Sequence, residues 1–401
     1  MFQVLGGQAA VSLANFLSIL ALGVWSGQEE LGAYALGISC FLLGVSLADT
    51  LVATPYTYFS SRAERDGRDL EAVATLASLA LAVAGALALS AACAFEVPGL
   101  SRLWPALPFA YVLFLMREWM RRCLVANGAV RRLLAVDCAG ALLQLAGIVA
   151  LGIMDQLTAR SAMTVVGLAS MAVLLPAVPQ LSGNRLSVAR RQGAAVLARF
   201  FEYGRWLFLG GICHVGSVQL YPWLALIAGG ERLAGLYAAC AALVNLLGPL
   251  FVGLTNYFRP RFMAAWHAGD ARSFVRYVAL RSCVFVAPAI GVMVLAVFTG
   301  GDVLARLYGA EFRDAGEALA WMSGGMCAVA AGAAIQLGLL AMRAPVTNLY
   351  YHGVSLVLLV AAAVWLRERL DLLILGQLYG AINVIGLSVL GMNFVLRIRR
   401  S

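Results

Sequence analysis

Arginine side chains inside or beside long apolar runs are the residues of this sequence best suited to bind a ligand. Arg117 and Arg121 are four residues apart and share one helical face. Glu118 and Arg122 share the adjacent face, where they can pair along the helix, so we expect Arg117 and Arg121 to have no local acid. Guanidinium groups bind phosphate oxygens in a bidentate manner, which suits a diphosphate. The candidate diphosphate ligands are Arg117, Arg121, Arg122, Arg205 and Arg281.

A second interpretation of these five arginines stays open. Arg205 opens the seventh apolar run beside Glu202, and Arg281 lies one turn into the ninth run. Long cationic side chains near the end of an apolar run often extend to anionic lipid headgroups instead of binding a substrate. Either function predicts arginine at these positions.

Three further ionisable residues lie within apolar runs, where a charge is costly and usually serves a purpose. They are Asp49, Asp137 and His214, which we predict to act in cation coupling or gating. Each has an alternative. Asp49 can pair with a nearby arginine, Asp137 can join the fourth and fifth helices through an ion pair, and His214 can be a hydrogen-bonded core residue.

Neutral polar side chains within the runs form another group. They fit the hydroxyl groups of a sugar and hydrogen bonds between helices equally well. The candidates for lining a polar path are Asn15, Asn245, Asn256 and Gln336.

Common signatures of enzymes and metalloproteins do not occur in credible settings. The sequence has no phosphate-binding Walker loop, zinc motif, Gly-x-Ser-x-Gly nucleophile elbow or dinucleotide fingerprint. Its eight cysteines are scattered, and none forms a Cys-x-x-Cys pair. We therefore predict a protein that is not an enzyme and that uses neither a cofactor nor a metal.

Twelve long apolar runs must position these residues. The chain is 62% apolar and 12% charged, with a mean hydropathy of +0.87, whereas a soluble protein has about 25% charged residues. Runs of about 20 apolar residues span a bilayer as helices, so we predict an all-α integral membrane protein with twelve transmembrane helices. The runs are 5–25, 32–54, 72–94, 104–124, 133–153, 161–181, 205–228, 233–256, 277–299, 316–340, 346–366 and 372–396.

The arginines also predict the orientation. The chain has 29 basic residues, all arginine, and 22 of them lie in segments on the same side as the N-terminus. Because cytoplasmic loops carry the excess of basic residues, both termini are predicted to be cytoplasmic. The net charge of +9 is then mostly a consequence of topology, and no nucleic-acid partner is expected.

The two halves of the chain look alike. Residues 32–35, Gly-Ala-Tyr-Ala, and residues 235–238, Gly-Leu-Tyr-Ala, each open a helix after an acidic turn. Six helices per half give both halves the same orientation, which predicts two parallel six-helix repeats. We divide the chain into an N-terminal bundle, a basic cytoplasmic linker and a C-terminal bundle, with bounds at 1–181, 182–204 and 205–401.

Several short motifs carry a family resemblance. They are Leu-Gly-Ala-Tyr-Ala at 31–35 with its copy at 234–238, Arg-Glu-Trp-Met-Arg-Arg-Cys-Leu-Val-Ala-Asn-Gly at 117–128, Leu-Leu-Ala-Val-Asp at 133–137, Tyr-Gly-Arg-Trp-Leu at 203–207 and Leu-Ala-Arg-Leu-Tyr-Gly at 304–309. With these motifs the chain resembles the multidrug/oligosaccharidyl-lipid/polysaccharide (MOP) exporter superfamily, and within it the polysaccharide-exporter and Wzx-type O-antigen flippase branch. The drug-extruding branch is less similar, since its acidic residue in the first helix is absent here.

The resemblance implies a function. The protein is expected to flip a polyprenyl-diphosphate-linked oligosaccharide across the bacterial inner membrane by alternating access, for the biosynthesis of a surface polysaccharide. Expected partners are this glycolipid, membrane lipids, a polysaccharide polymerase and glycosyltransferases. Two alternatives stay open: a cation-coupled exporter of a small molecule, and a non-catalytic membrane component of a polysaccharide assembly complex.

Overall fold

The computed structural model describes residues 2–60, 67–176, 184–268, 270–344 and 346–399. The chain is 92% helical, and the described residues contain no strand, which confirms the predicted all-α class. Some positions used above lie outside the described residues. They are Arg62, Arg65 and Arg400, which are among the 22 arginines predicted to lie on the cytoplasmic side, and residues 182–183 of the predicted linker.

The first part of the chain forms seven helices rich in alanine and leucine, which are strong helix formers. Between α1 and α2 the helical path continues through a π-helical turn, Asp49–Ala53. The helices are α1 (Phe2–Ala48), α2 (Thr54–Ser60), α3 (Gly67–Ala94), α4 (Ala106–Ala126), α5 (Val130–Ile153), α6 (Ala159–Leu174) and α7 (Asn184–Asn245).

Five helices follow in the second part. The α9 helix begins after Asp270, whose carboxylate accepts a hydrogen bond from the Ser273 backbone N–H. Hydrogen bonding with the Ser273 side chain, and next with its backbone N–H, lowers the pKa of the Asp270 carboxyl group. The helices are α8 (Gly248–Ala268), α9 (Ala271–Tyr308), α10 (Gly316–Ala341), α11 (Val346–Trp365) and α12 (Leu372–Ile398).

Helices α1 and α7 contain sharp breaks at glycines. Gly27 has φ 80° inside α1, and Gly230 has φ 71° inside α7. This left-handed backbone region is open to glycine because glycine has no Cβ. Both breaks fall between apolar runs that the sequence separates, so α1 and α7 each contain parts of two predicted spans.

Eight described helical stretches are long and apolar enough to cross a membrane. The stretches Gly6–Ser60 and Gly193–His267 are the longest, with 55 and 75 residues, and each includes one of the glycine breaks. Helices α4 and α6 are not among these eight stretches. Helix α4 carries the arginine cluster near its end, and α6 has 16 residues. Several membrane-spanning helices are thus present, while the number twelve and the cytoplasmic termini stay predictions.

The chain divides into two compact units, Met1–Val215 and Gly216–Ser401. In the first unit α1 packs on α5, and α4 packs on α3 and α6. In the second unit α10 packs between α9 and α12. The division falls inside α7, which begins at Asn184 and therefore includes most of the predicted linker. The predicted division into an N-terminal bundle ending at 181, a linker, and a C-terminal bundle beginning at 205 stays a prediction.

Candidate functional site

Charged side chains concentrate on the last three turns of α4. Arg117 is 2% exposed, and in the described part of the chain it has neither an ion pair nor a hydrogen bond. The ring of Phe114 lies 5.9 Å from its Cζ, and a Cβ at Gly140 would lie 3.4 Å from the same atom. Arg117 is thus a buried cation near Glu118 and Asp137 that forms a direct ion pair with neither among the described residues.

Arg121, by contrast, is held by two acids. Its Nε and Nη2 donate to the Asp137 carboxylate at 2.6 and 3.2 Å, and its Nη1 donates to Glu118 at 2.7 Å. Gln8 accepts a longer bond of 3.4 Å. The expectation that Arg121 has no local acid is therefore wrong. Glu118 is local after all, and a second acid is in reach because α5 places Asp137 beside the end of α4.

Arg122 pairs with Asp49 at the start of the π-helical turn, with 3.0 Å between Nε and Oδ1. The expected pair between Glu118 and Arg122 is not formed, because Glu118 pairs with Arg121 one residue closer along the helix. Both aspartates thus have the arginine partners that our alternative interpretations gave them. Their action in coupling or gating stays a prediction.

Two glycines make room for this cluster. A Cβ at Gly7 of α1 would lie 2.8 Å from Oδ2 of Asp137, which is too close for a methyl group. A Cβ at Gly140 of α5 would just touch the Arg117 guanidinium. The absence of side chains at these positions lets α1 and α5 approach the charged face of α4.

A small recess lies beside the cluster, within the first unit. Its volume is about 270 Å³ including the open mouth. Ser78 contributes a buried hydroxyl without a hydrogen-bond partner in the described ranges. Since π-helical turns are often found at functional sites, the turn at Asp49 marks this region further. The lining residues are Val45, Ala48, Asp49, Ala53, Ser78, Leu115, Glu118, Trp119 and Arg122.

Trp119 is fixed in the wall of this recess. Its indole N–H donates to the hydroxyl of Thr75 at 3.0 Å, and its ring packs edge-on against Tyr56 with centroids 5.2 Å apart. Buried tyrosine and tryptophan side chains usually combine an apolar contact with one such hydrogen bond. Thr75 and Tyr56 thus hold the Trp119 ring on the α4 side of the recess.

The remaining candidates of the first unit are not in this cluster. Arg205 is exposed and lies 5.7 Å from the ring of Trp206, and His214 is also exposed. Asn15 accepts a hydrogen bond from Gln144 at 3.2 Å, and Gln144 also donates to Ser18. The hydrogen bond of Asn15 thus connects α1 with α5, as the alternative interpretation predicts for such amides.

In the second unit the predicted candidates lie apart from one another in sequence and environment. Arg281 is half-buried, lies 5.1 and 5.6 Å from the rings of Tyr277 and Phe258, and has a buried Nε without a hydrogen bond among the described residues. Asn245 and Asn256 are exposed, whereas Gln336 is half-buried.

Sequence reasoning missed several residues of the cluster. Ser78, Gly7 and Gly140 were not singled out, because a serine or a glycine in an apolar run is common and carries no pattern of its own. The pattern at 117–122 did mark α4, and only the packing of neighbouring helices identified the residues around it. Across the described residues no three or more His, Cys, Asp or Glu side chains form a group that could hold a metal ion.

Neither family models nor curated protein sequences give a match to this chain. Solved structures do. A multidrug resistance MATE family transporter of the MOP superfamily, in an inward-facing conformation, is similar with a TM-score of 0.79 at 13% identity, covering 99% of this chain and 98% of that one. An outward-facing conformation of such a transporter has a TM-score of 0.59 at 16% identity, covering 100% and 94%. The lipid II flippase MurJ, in an inward closed conformation, has a TM-score of 0.70 at 10% identity, covering 97% and 87%.

The chain therefore has the fold of MATE transporters and of the lipid II flippase, along nearly its whole length. Together with the apolar helices, this fold is that of a multi-pass membrane protein. The fold implied by the MOP resemblance is confirmed, whereas the Wzx-type branch stays a prediction.

Proposed function

We propose that this protein flips a polyprenyl-diphosphate-linked oligosaccharide across the bacterial inner membrane, as a member of the Wzx-type branch. The observation that carries the proposal is Arg117, a buried cation that forms no ion pair or hydrogen bond in the described part of the chain, since the nearby Glu118 and Asp137 pair with Arg121 instead. An uncompensated buried charge costs several kcal/mol, and a bound anion offsets that cost. A diphosphate supplies the anion with oxygens spaced for guanidinium groups.

The rest of the cluster supplies further cations, but only by exchange of partners. Arg121 and Arg122 lie within one turn of each other on α4, and their guanidinium groups are engaged by carboxylates. A diphosphate at Arg117 competes with these carboxylates for the two neighbours. The sugars then follow the polar path, the polyprenyl chain stays in lipid, and alternating access exposes the headgroup on the outer side.

The experiment compares Arg117→Gln and Arg117→Ala with Arg102→Gln, which changes an arginine of the first unit that pairs with Glu30 at a predicted outer turn. We expect polymer export and binding of inorganic pyrophosphate by the purified protein to fall at least about tenfold in both Arg117 variants, because each lost charged hydrogen bond is worth about 1.5–3 kcal/mol. Arg102→Gln should keep both. Wild-type export and pyrophosphate binding in the Arg117 variants, at equal membrane abundance, would refute the proposal.

A second candidate function is export of a small molecule by cation antiport, which the similarity to MATE transporters favours. Efflux assays separate the two functions. Export of a soluble small molecule, in cells whose surface polysaccharide does not depend on the protein, would favour this alternative. Under the first function, the proposed protein partners are a polysaccharide polymerase and glycosyltransferases. If the protein is instead a non-catalytic component of an assembly complex, these partners should co-purify with it, but the isolated protein should not flip the glycolipid.

A further inference from the structure

Arg281 of α9 lies between two aromatic rings of the second unit. Its Cζ is 5.1 Å from the ring centroid of Tyr277 and 5.6 Å from that of Phe258. Its Nε is buried without a hydrogen bond, and the described residues give the side chain no ion pair. Aromatic faces attract a cation, but they do not replace the oxygen acceptors that guanidinium N–H groups normally find. The rings thus hold a guanidinium group that still lacks an acceptor among the described residues.

The guanidinium group of Arg281 lies toward the start of α9. Helical side chains point toward the N-terminus of their helix, and the nearer ring, Tyr277, is one turn before Arg281. The α9 helix begins at Ala271, on the side where the sequence predicts the cytoplasm. Arg281 is only four residues, or about 6 Å, inside the predicted run that begins at 277. An arginine at this depth reaches the level of the lipid headgroups.

The surface of α9 beside Arg281 is apolar and exposed. Leu280 is 57% exposed and Val284 is 38% exposed, whereas Val278 and Phe285 are buried. Arg281 therefore lies at the border between the packed face of the helix and an exposed apolar face. In a bilayer such an exposed face contacts acyl chains, which are as apolar as leucine. A phospholipid whose chains cover this face brings its phosphate group to the level of Arg281.

The charges of this region favour an anionic headgroup. Between residues 256 and 281 the sequence has a single acid, Asp270, whose carboxylate already accepts a hydrogen bond at the start of α9. Guanidinium groups bind phosphate oxygens in pairs, and basic clusters at the cytoplasmic surface attract anionic lipids. Four further arginines of the same segment are exposed, and they are Arg259, Arg261, Arg272 and Arg276.

We propose that Arg281, with the rings of Tyr277 and Phe258, binds the phosphate group of an anionic phospholipid at the predicted cytoplasmic edge of the second unit. The rings fix the guanidinium group, Arg281 donates hydrogen bonds to the phosphate, and the acyl chains lie along Leu280 and Val284. The lipid binds the folded protein and thereby stabilises it. This site is separate from the arginines of α4 and does not depend on the proposed function.

Lipid binding is measured on the purified full-length protein in a non-ionic detergent, by Tm and by native mass spectrometry, with short-chain phosphatidylglycerol as the probe. We expect a saturable rise of Tm, and an apparent affinity at least about tenfold lower in Arg281→Gln, because charged hydrogen bonds to the phosphate are lost. Phosphatidylcholine should bind at least about tenfold more weakly than phosphatidylglycerol. The control is Arg306→Gln, which makes the same charge change at an exposed position in the last turn of α9 and should bind as the wild type does.

The aromatic part of the site has its own pair of variants. Tyr277→Leu removes the nearer ring, so the affinity for phosphatidylglycerol should fall about fivefold. Tyr277→Phe keeps the ring and should bind as the wild type does. These two variants test the site even if Arg281→Gln does not fold. Equal affinities of Tyr277→Leu and Tyr277→Phe would overturn the role of the ring.

Inorganic pyrophosphate distinguishes a lipid site from a site for the diphosphate ligand. Loss of phosphatidylglycerol binding in Arg281→Gln, with pyrophosphate binding retained, supports the proposal. Loss of pyrophosphate binding alone overturns it and assigns Arg281 to the diphosphate, and loss of both overturns the separation of the two sites. Wild-type lipid binding in Arg281→Gln, or equal affinities for the two phospholipids, also overturns the proposal. A wild type that binds phosphatidylglycerol but not pyrophosphate refutes the diphosphate site and supports the lipid site.

Discussion

The two units of this chain accommodate polar groups among apolar helices in different ways. In the first unit the polar interior is ionic, with three arginines of α4 near Glu118, Asp137 and Asp49. In the second unit, two hydrogen bonds between buried or partly buried side chains involve neither a carboxylate nor an arginine. The hydroxyl of Ser217 and the ring of His352 meet at 3.0 Å, and Tyr351 donates to Asn383 at 2.8 Å.

The acids of the second unit show the same contrast. Glu231 follows the glycine break inside α7, and the other acids lie near helix ends or in connecting segments, at Asp270, Asp302, Glu311, Asp314, Glu317, Glu368 and Asp371. Neutral hydrogen bonds suffice to hold helices together, whereas buried charges are costly unless they are paired or used. The ionic interior of the first unit is therefore where we expect ligand chemistry.

The largest expected effect comes from Asp137→Ala. This change leaves the mostly buried Arg121 with a single acid, beside an Arg117 that forms no ion pair among the described residues. Breaking a buried ion pair in this way costs about 3–5 kcal/mol. We expect a strong loss of folded protein, measured as membrane abundance and as Tm of the purified protein. The double variant Arg121→Gln with Asp137→Asn removes both charges and should recover most of the loss. If the single change is harmless, the ionic interior does not hold the first unit together.

A smaller effect is expected at the glycine that admits Asp137. In Gly7→Ala the new methyl group would lie 2.8 Å from the Asp137 carboxylate, so the carboxylate must move away from Arg121. Such overpacking costs about 1–3 kcal/mol. The neighbouring change Gly6→Ala is a matched control, because the nearest atom would be 3.9 Å away, at Leu134. Chemical or thermal unfolding should show a loss in Gly7→Ala alone. Equal stabilities of the two variants would argue against tight packing at this point.

The smallest effect is expected in the second unit. Tyr351→Phe removes the hydroxyl that donates to Asn383 and keeps the ring, so the loss should be about 1 kcal/mol. Tm and pyrophosphate binding check this prediction, and binding should not change. A loss as large as that of Asp137→Ala would erase the distinction between a neutral and an ionic interior.

Much of the fold follows from the sequence, because long apolar stretches have few alternatives to helices in a membrane. The glycine breaks in α1 and α7 lie where the runs at 5–25 and 205–228 end. The charged face of α4 was also visible, since four charged residues within six positions stand out in an apolar chain.

The partners of those charges were not visible. Local spacing favoured Glu118 with Arg122, but the structure pairs Glu118 with Arg121 and gives Arg122 to Asp49. Spacing along one helix cannot rank a local acid against one from another helix. The partner that prevails depends on which side chains the neighbouring helices bring within reach.

The sequence by itself determined that this is an all-helical membrane protein with an arginine-rich segment at 117–122. These properties depend on composition and on the period of a single helix. The tertiary structure alone decided that Arg117 is buried without an ion pair in the described ranges, and that Asp49, Ser78 and Glu118 share one recess. Those relations join residues that lie far apart in the chain, and the close packing of α1, α3, α4 and α5 sets the distances between them.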